Sequence, residues 1–97
     1  MDELIPVKEF CVYHNIEMSF LNLLQKNGLI EISTIDSKHF VEKEQLPQLE
    51  KYVRFYYELD INLEGIETIN FLLQKIEKQQ TEIVKLKNNL RFYDVFA

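Results

Sequence analysis

The chain has 97 residues, 46% of them hydrophobic, with seven Phe and five Tyr against two Gly and two Pro, a composition that excludes a disordered tail. That length leaves room for one small domain with a modest core, so association would add stability. Sixteen acidic residues against eleven basic ones give a net charge of −5, and no stretch approaches the roughly 18 to 20 uncharged apolar residues of a membrane-spanning helix.

The charge is unevenly shared. Residues 1–65 carry six basic side chains against twelve acidic ones, a net of −6, while residues 66–97 carry five against four, a net of +1. An acidic head repels phosphate backbones. Cys11 is the single cysteine and cannot close an intramolecular disulfide, and no basic start with an apolar run and cleavage site opens the sequence. A reducing cytoplasm is the expected setting.

In chain order, Pro6 is placed as a first helical residue, and Val7, Phe10 and Cys11 repeat at the spacing of one buried helical face. His14-Asn15 should end that helix. Phe20, Leu21, Leu23 and Leu24 form a second apolar face, and Asn27-Gly28 supplies a left-handed C-terminal cap. Leu29, Ile30 and Ile32 read as a short strand, Thr34 to Lys38 as a turn, and Phe40-Val41 as the returning strand of a small hairpin.

From about Leu46 the spacing is helical again, with Pro47 in the first turn and Leu49, Tyr52, Val53, Phe55, Tyr56 and Leu59 on one broad face. Asp60 to Asn62 break the pattern. Asn62 is the expected N-cap of a long helix over roughly residues 63 to 93, with Ile61 and Ile66 as a hydrophobic staple across it.

In that helix Ile69, Ile76, Ile83 and Leu90 fall seven apart, and Leu72, Gln79, Leu86 and Tyr93 hold the matching second positions. Four heptads fit with one polar defect at Gln79. A segment of roughly 40 Å exceeds what a small head can cover, so Ile69, Leu72, Ile76, Ile83, Leu86 and Leu90 are the candidate dimer interface. Chain direction in such a pair is not readable from the pattern. The expected division is a head over residues 1–61 and a coiled-coil dimerisation helix over residues 62–97.

The order helix, turn, helix ending in Asn27-Gly28-Leu29, then wing, helix, and a long helix announced by Asn62-Leu63-Glu64-Gly65-Ile66 resembles the MerR-type winged-helix architecture over nearly the whole chain. The expected fold is mainly α: a MerR-like winged helix-turn-helix head with a small β-hairpin wing and a long C-terminal coiled-coil helix. Within that superfamily the segments Lys8-Glu9-Phe10-Cys11, Leu59 to Ile66 and Leu90-Arg91-Phe92 look most like the chaperone-modulator (CbpM) proteins, which are bacterial and cytoplasmic. That resemblance implies a non-enzymatic regulator that binds the J-domain of a DnaJ-like co-chaperone and blocks its stimulation of the Hsp70 partner.

The DNA-binding members usually carry an Arg and a Tyr on the second helix and another Arg in the wing. Here those places read Asn22, Leu23 or Leu24, and His39-Phe40. Without guanidinium groups the helix lacks bidentate contacts to guanine and phosphate neutralisation. A J-domain's partner-binding helix is typically basic in the family picture, so an acidic head suits it. The candidate contacts are Glu9, Glu17, Glu31 and Asp36, any of which could equally belong to a solvated acidic face.

Other chemistry is sparse. Cys11 and His14 have metal-pair spacing, but the remaining histidine, His39, comes without a second cysteine, and zinc needs three or four ligands. No Gly-rich phosphate loop and no flanked serine nucleophile occurs, so neither enzymatic activity nor a cofactor is expected. Two further readings stay open: a MerR-type transcription regulator binding DNA through Lys38, Lys43 and Lys51, and an adaptor whose coiled coil pairs with a different chain.

Overall fold

A computed structural model describes residues 3–96, with side chains through Tyr93. Strand β1 (Leu4–Pro6) leads directly into helix α1 (Val7–His14), followed by α2 (Met18–Lys26), strands β2 (Ser33–Ile35) and β3 (Lys38–Glu42), α3 (Leu46–Val53) and α4 (Leu63–Phe96). The chain divides into two compact units, Met1–Ile66 and Glu67–Ala97.

Both helices of the helix-turn-helix end by the same device. Asn15 adopts φ 53°, the Ile16 N–H donates to the Cys11 carbonyl at 3.0 Å and the Asn15 N–H to Val12 at 3.2 Å. At the end of α2, Gly28 has φ 75°, the Leu29 N–H donates to Leu24 at 2.9 Å and the Gly28 N–H to Gln25 at 3.0 Å. Each pair satisfies carbonyls that a helix end would otherwise leave bare.

Pro6 does not open α1 from inside. Its backbone is extended (φ −61°, ψ 128°) and it is the N-cap residue, because it also closes a strand that the sequence pattern does not announce. β1 pairs antiparallel with β3, Leu4 facing Glu42 and Pro6 facing Phe40, and the Lys43 N–H donates to the Glu3 carbonyl at 2.9 Å. The sheet therefore has three strands in the order β1-β3-β2, with the wing hairpin as two of them.

The wing itself is shifted along the chain. Its first strand is Ser33–Ile35, joined to β3 through Asp36 and Ser37, both at positive φ (51° and 64°), as a tight two-residue hairpin turn requires. Leu29, Ile30 and Ile32, expected as that strand, instead form a loop that feeds the core: Ile30 is buried and the other two pack against the cluster. The loop backbone is satisfied by side-chain amides. The Glu31 N–H donates to Gln45 Oε1 at 2.7 Å, Gln45 Nε2 donates to the Glu31 carbonyl at 2.9 Å, and Gln25 Nε2 donates to the Ile32 carbonyl at 3.4 Å. With those partners the segment needs no strand ladder.

The core takes Val7, Phe10 and Cys11 from α1, Phe20, Leu21 and Leu24 from α2, Val41 from β3, Leu49, Tyr52 and Val53 from α3, and Ile66 from the first turns of α4. Leu23, counted on the inner face of α2, is 43% exposed. Past Val53 the helical path widens into a π turn over Arg54–Glu58, where the Leu59 N–H reaches back five residues to Arg54 at 3.1 Å. Phe55 packs on the core and Tyr56, though partly exposed, lies against Phe20, whereas Leu59 turns outward, since the wider turn rotates it off the α-helical stripe.

Asn62 caps α4 as its sequence suggests. Its Oδ1 accepts from the Gly65 N–H at 2.8 Å, Ile66 is fully buried and Ile61 packs against the same cluster. The helix is 34 residues long, about 51 Å at the α-helical rise. Within Glu67–Ala97, Leu72, Ile76, Ile83, Leu86 and Leu90 are exposed and Ile69 is half-buried.

Gly65 sits where a β-carbon would lie 2.7 Å from Ile61 Cγ2 and 3.2 Å from Asn62 Oδ1. On helix propensity alone, Gly65→Ala should stabilise by up to about 1 kcal/mol; overpacking of the staple outweighs this at about 1–3 kcal/mol. Urea unfolding should show net destabilisation in the wild-type background and a smaller or reversed effect in Ile61→Ala. Equal costs in both backgrounds would refute the clash.

Candidate functional site

The head folds α1, the start of α2 and the tip of the wing around a groove of about 950 Å³. Val7 and Cys11 come from α1, Ile16 and Met18 from the turn into α2, and Phe40 from β3, giving an apolar floor. The charged lining is Lys8, Glu9 and Lys38, with His39 beside them. His39 is anchored to the wing by the contact of its Nδ1 with Thr34 Oγ1 at 3.1 Å.

The four nominated carboxylates are all exposed, but they do not form one cluster. Glu9 lines the groove directly. Glu17 lies between the lining residues Ile16 and Met18 and is held by its neighbours: its N–H donates to the Tyr57 hydroxyl at 3.2 Å, and its Oε2 accepts from Ser19 Oγ at 3.2 Å. Asp36 occupies the wing turn next to the lining residue Ser37. Glu31 stands apart, on the loop clamped to Gln45 before α3.

Two residues that the sequence reading passed over are conspicuous. Val12 is 75% and Tyr13 85% exposed, the highest values for large apolar side chains among the described residues. They sit next to each other on α1 and, with Lys8 and Glu9, line a shallow extension of the same surface. The signal was present in sequence: once Val7, Phe10 and Cys11 define the inner face, Val12 and Tyr13 fall on the opposite side. Together they form a small apolar patch on the outer face of an amphipathic helix.

The face that would read DNA is poor in cations. Along α2 the exposed side chains are Ser19, Asn22, Leu23, Gln25 and Lys26. Of the three lysines that an alternative DNA contact would use, Lys38 is exposed, Lys43 pairs with Glu3 at 3.6 Å, and Lys51 is half-buried on α3. Arg54, the one arginine of the head, pairs with Glu58 at 3.7 Å. Exposed pairs of this kind add little stability, on the order of 0–1 kcal/mol, yet they reduce the net positive field available to a phosphate.

Among the described residues no group of three or more His, Cys, Asp or Glu could hold a metal ion, and no helix is long and apolar enough to cross a membrane. The Phe20 ring stacks on Tyr56 at 4.4 Å and meets Tyr57 edge-on at 5.5 Å, so these aromatics tie the π turn to α2.

A family model described as MerR HTH family regulatory protein matches residues 5–88. The match covers both the helix-turn-helix head and most of α4, and the chain belongs to that family. No curated protein and no solved structure gives a significant match to it.

Burial raises the Cys11 thiol and the Tyr52 hydroxyl above their ordinary values of 9.0 and 10.0. Both groups thus ionise more readily in the unfolded chain. Their contribution to stability is complete below the ordinary thiol value and is lost as pH climbs through the raised ones. Cys11 should react slowly with an aromatic disulfide reagent in the native protein and rapidly in urea, and unfolding midpoints should fall at alkaline pH. Fast native modification would mean that the thiol is exposed.

Proposed function

We propose that this member of the MerR helix-turn-helix family is a non-enzymatic chaperone modulator of the bacterial cytoplasm, which binds the J-domain of a DnaJ-like co-chaperone and blocks its stimulation of an Hsp70. The observation that carries the reading is the outward face of the helix-turn-helix. It offers Val12, Tyr13 and Leu23 to solvent and, on α2, a single cation, Lys26.

A nucleic-acid reader works by neutralising phosphates and by bidentate contacts to base edges. This face has neither the charge nor the guanidinium groups. A polypeptide partner instead rewards exposed apolar side chains at the centre of a contact and complementary charge at its edge. The acidic excess of the head then serves to steer a basic helix of the J-domain, with Glu9, Glu17, Glu31 and Asp36 as the contributing carboxylates.

The active form in this reading is a homodimer. Ile69, Leu72, Ile76, Ile83, Leu86 and Leu90 keep the heptad seam, and five of the six are exposed in the single chain. A second helix laid along that seam would bury them, and Gln79 within it would fix the register.

The family match favours a second reading, a MerR-type regulator that binds DNA. Against it stand the ion pair on Lys43, the partial burial of Lys51 and the acidic field of the head.

Two measurements separate the readings. Pull-down with the J-domain of a DnaJ-like co-chaperone should weaken by about tenfold or more when all four carboxylates are reversed to lysine, the scale of about 1.4 kcal/mol. Retained binding in the quadruple variant would remove the acidic face as the site. In a mobility-shift assay at low salt the wild-type chain should leave duplex DNA unshifted. A shift that vanishes steeply with added salt and with Lys38→Glu would establish the regulator instead. Ile76→Asp should convert the dimer to a monomer in sedimentation, and a wild-type chain already monomeric would overturn the pairing.

A further inference from the structure

Asn27 and Gly28, which stop α2, are the one place where the chain sets an asparagine directly before a residue without a β-carbon. The other six asparagines precede Ile16, Leu23, Leu63, Phe71, Asn89 and Leu90. Before a glycine, the backbone nitrogen can approach the asparagine's side-chain carbonyl carbon with little steric hindrance. Both residues are exposed, and a β-carbon built on Gly28 would meet nothing within 4 Å, so water reaches the joint and no neighbour blocks a ring from closing there.

The folded head engages both reacting groups. Asn27 Nδ2 donates to the Leu23 carbonyl at 2.8 Å, which draws the carboxamide back toward the helix. The Gly28 N–H donates to the Gln25 carbonyl at 3.0 Å, and attack by that nitrogen requires the proton to leave. With Gly28 at φ 75° and the Leu29 N–H closed on Leu24 at 2.9 Å, the peptide between Asn27 and Gly28 cannot rotate onto the side chain without undoing the cap. Helix ends open at far lower free energy than cores, and one opening frees both groups together.

We propose that Asn27 is a site of spontaneous deamidation, restrained by the closed cap of α2 and released when that cap opens. The Gly28 nitrogen, on losing its proton, bonds to Asn27 Cγ; the Cγ–Nδ2 bond breaks and ammonia leaves. Water then opens the cyclic imide at either carbonyl, giving aspartate or isoaspartate without any redox change. Either product exchanges the donor for a carboxylate that cannot donate to Leu23 and that lies at the negative end of α2. Isoaspartate also adds one carbon to the backbone just before Leu29 and Ile30, which the core holds. The modified cap therefore closes less well than the original, and the change runs one way. None of this chemistry depends on which partner the head binds.

The full chain can be incubated at neutral pH in native buffer and in guanidinium chloride, followed by peptide mapping with mass spectrometry and enzymatic detection of isoaspartate. In denaturant, Asn27 should gain one mass unit faster than any other asparagine, and Gly28→Ala should slow the reaction by restoring a β-carbon. In native buffer the same change should be slower by about tenfold or more, the protection of a closed joint. Asn27→Asp, which carries the product with a normal backbone, should lower the denaturation midpoint. Equal rates in buffer and denaturant would overturn the restraint, and an unmodified Asn27 in the denatured chain would overturn the site. A wild-type midpoint for Asn27→Asp would overturn the effect on the cap.

Discussion

Val7, Leu21, Leu24, Val41, Leu49 and Ile66 are essentially closed to solvent and come from α1, α2, β3, α3 and α4. No two of these elements could bury their apolar faces alone, because α1, α2, β3 and α3 are each only a few turns or residues long and α4 contributes only Ile66 from its first turns. The shared cluster therefore sets the rotation of every element about its axis, and with it the set of side chains that each turns outward. Burial of Phe10 and Cys11 forces Val12 and Tyr13 into solvent, and burial of Leu21 and Leu24 leaves Asn22 and Leu23 on the outer face of α2. The surface through which the head acts follows from how its core is filled.

Such a small core tolerates little error at the joints between elements, and the joints are where polar chemistry is concentrated. Left-handed residues at Asn15 and Gly28 stop α1 and α2. A third, Asp60 at φ 53°, follows the π turn, and there the Ile61 N–H reaches six residues back to the Phe55 carbonyl at 2.9 Å. The extra residue in that span is the one that the π turn inserted. Gln45 performs a similar service for the loop after α2, replacing a strand partner with its own amide. Each device satisfies backbone groups that would otherwise be left bare near an apolar cluster.

Charge and shape are distributed differently over the head. The acidic excess is dispersed: Glu9 and Asp36 lie near the groove, Glu17 at the start of α2, and Glu31 on a separate loop. A dispersed field steers encounter more than it fixes geometry. The groove between α1 and the wing is a single feature with an apolar floor. The helix-turn-helix keeps its cap residues and its core while presenting Leu23, Val12 and Tyr13 to solvent.

The sequence by itself determined the helices, the stops of α1 and α2 and the start of α4, because those depend on local spacing: the three-and-four repeats of Val7, Phe10 and Cys11, the Asn27-Gly28 stop, and Asn62 with its staple. It also carried the winged helix-turn-helix architecture, and the exposure of Val12 and Tyr13 was legible as apolar residues opposite the inner face. Tertiary structure alone decided the rest. Strand β1 has three residues and no alternation to announce it, and it exists because β3 offers it an edge. Leu29, Ile30 and Ile32 have strand-forming side chains, yet Gln45 and Gln25 satisfy their backbone and the core takes their side chains. The scattering of the four carboxylates, and the gathering of Lys8 and Lys38 at one groove, depend on contacts between residues some thirty positions apart, which no local pattern encodes.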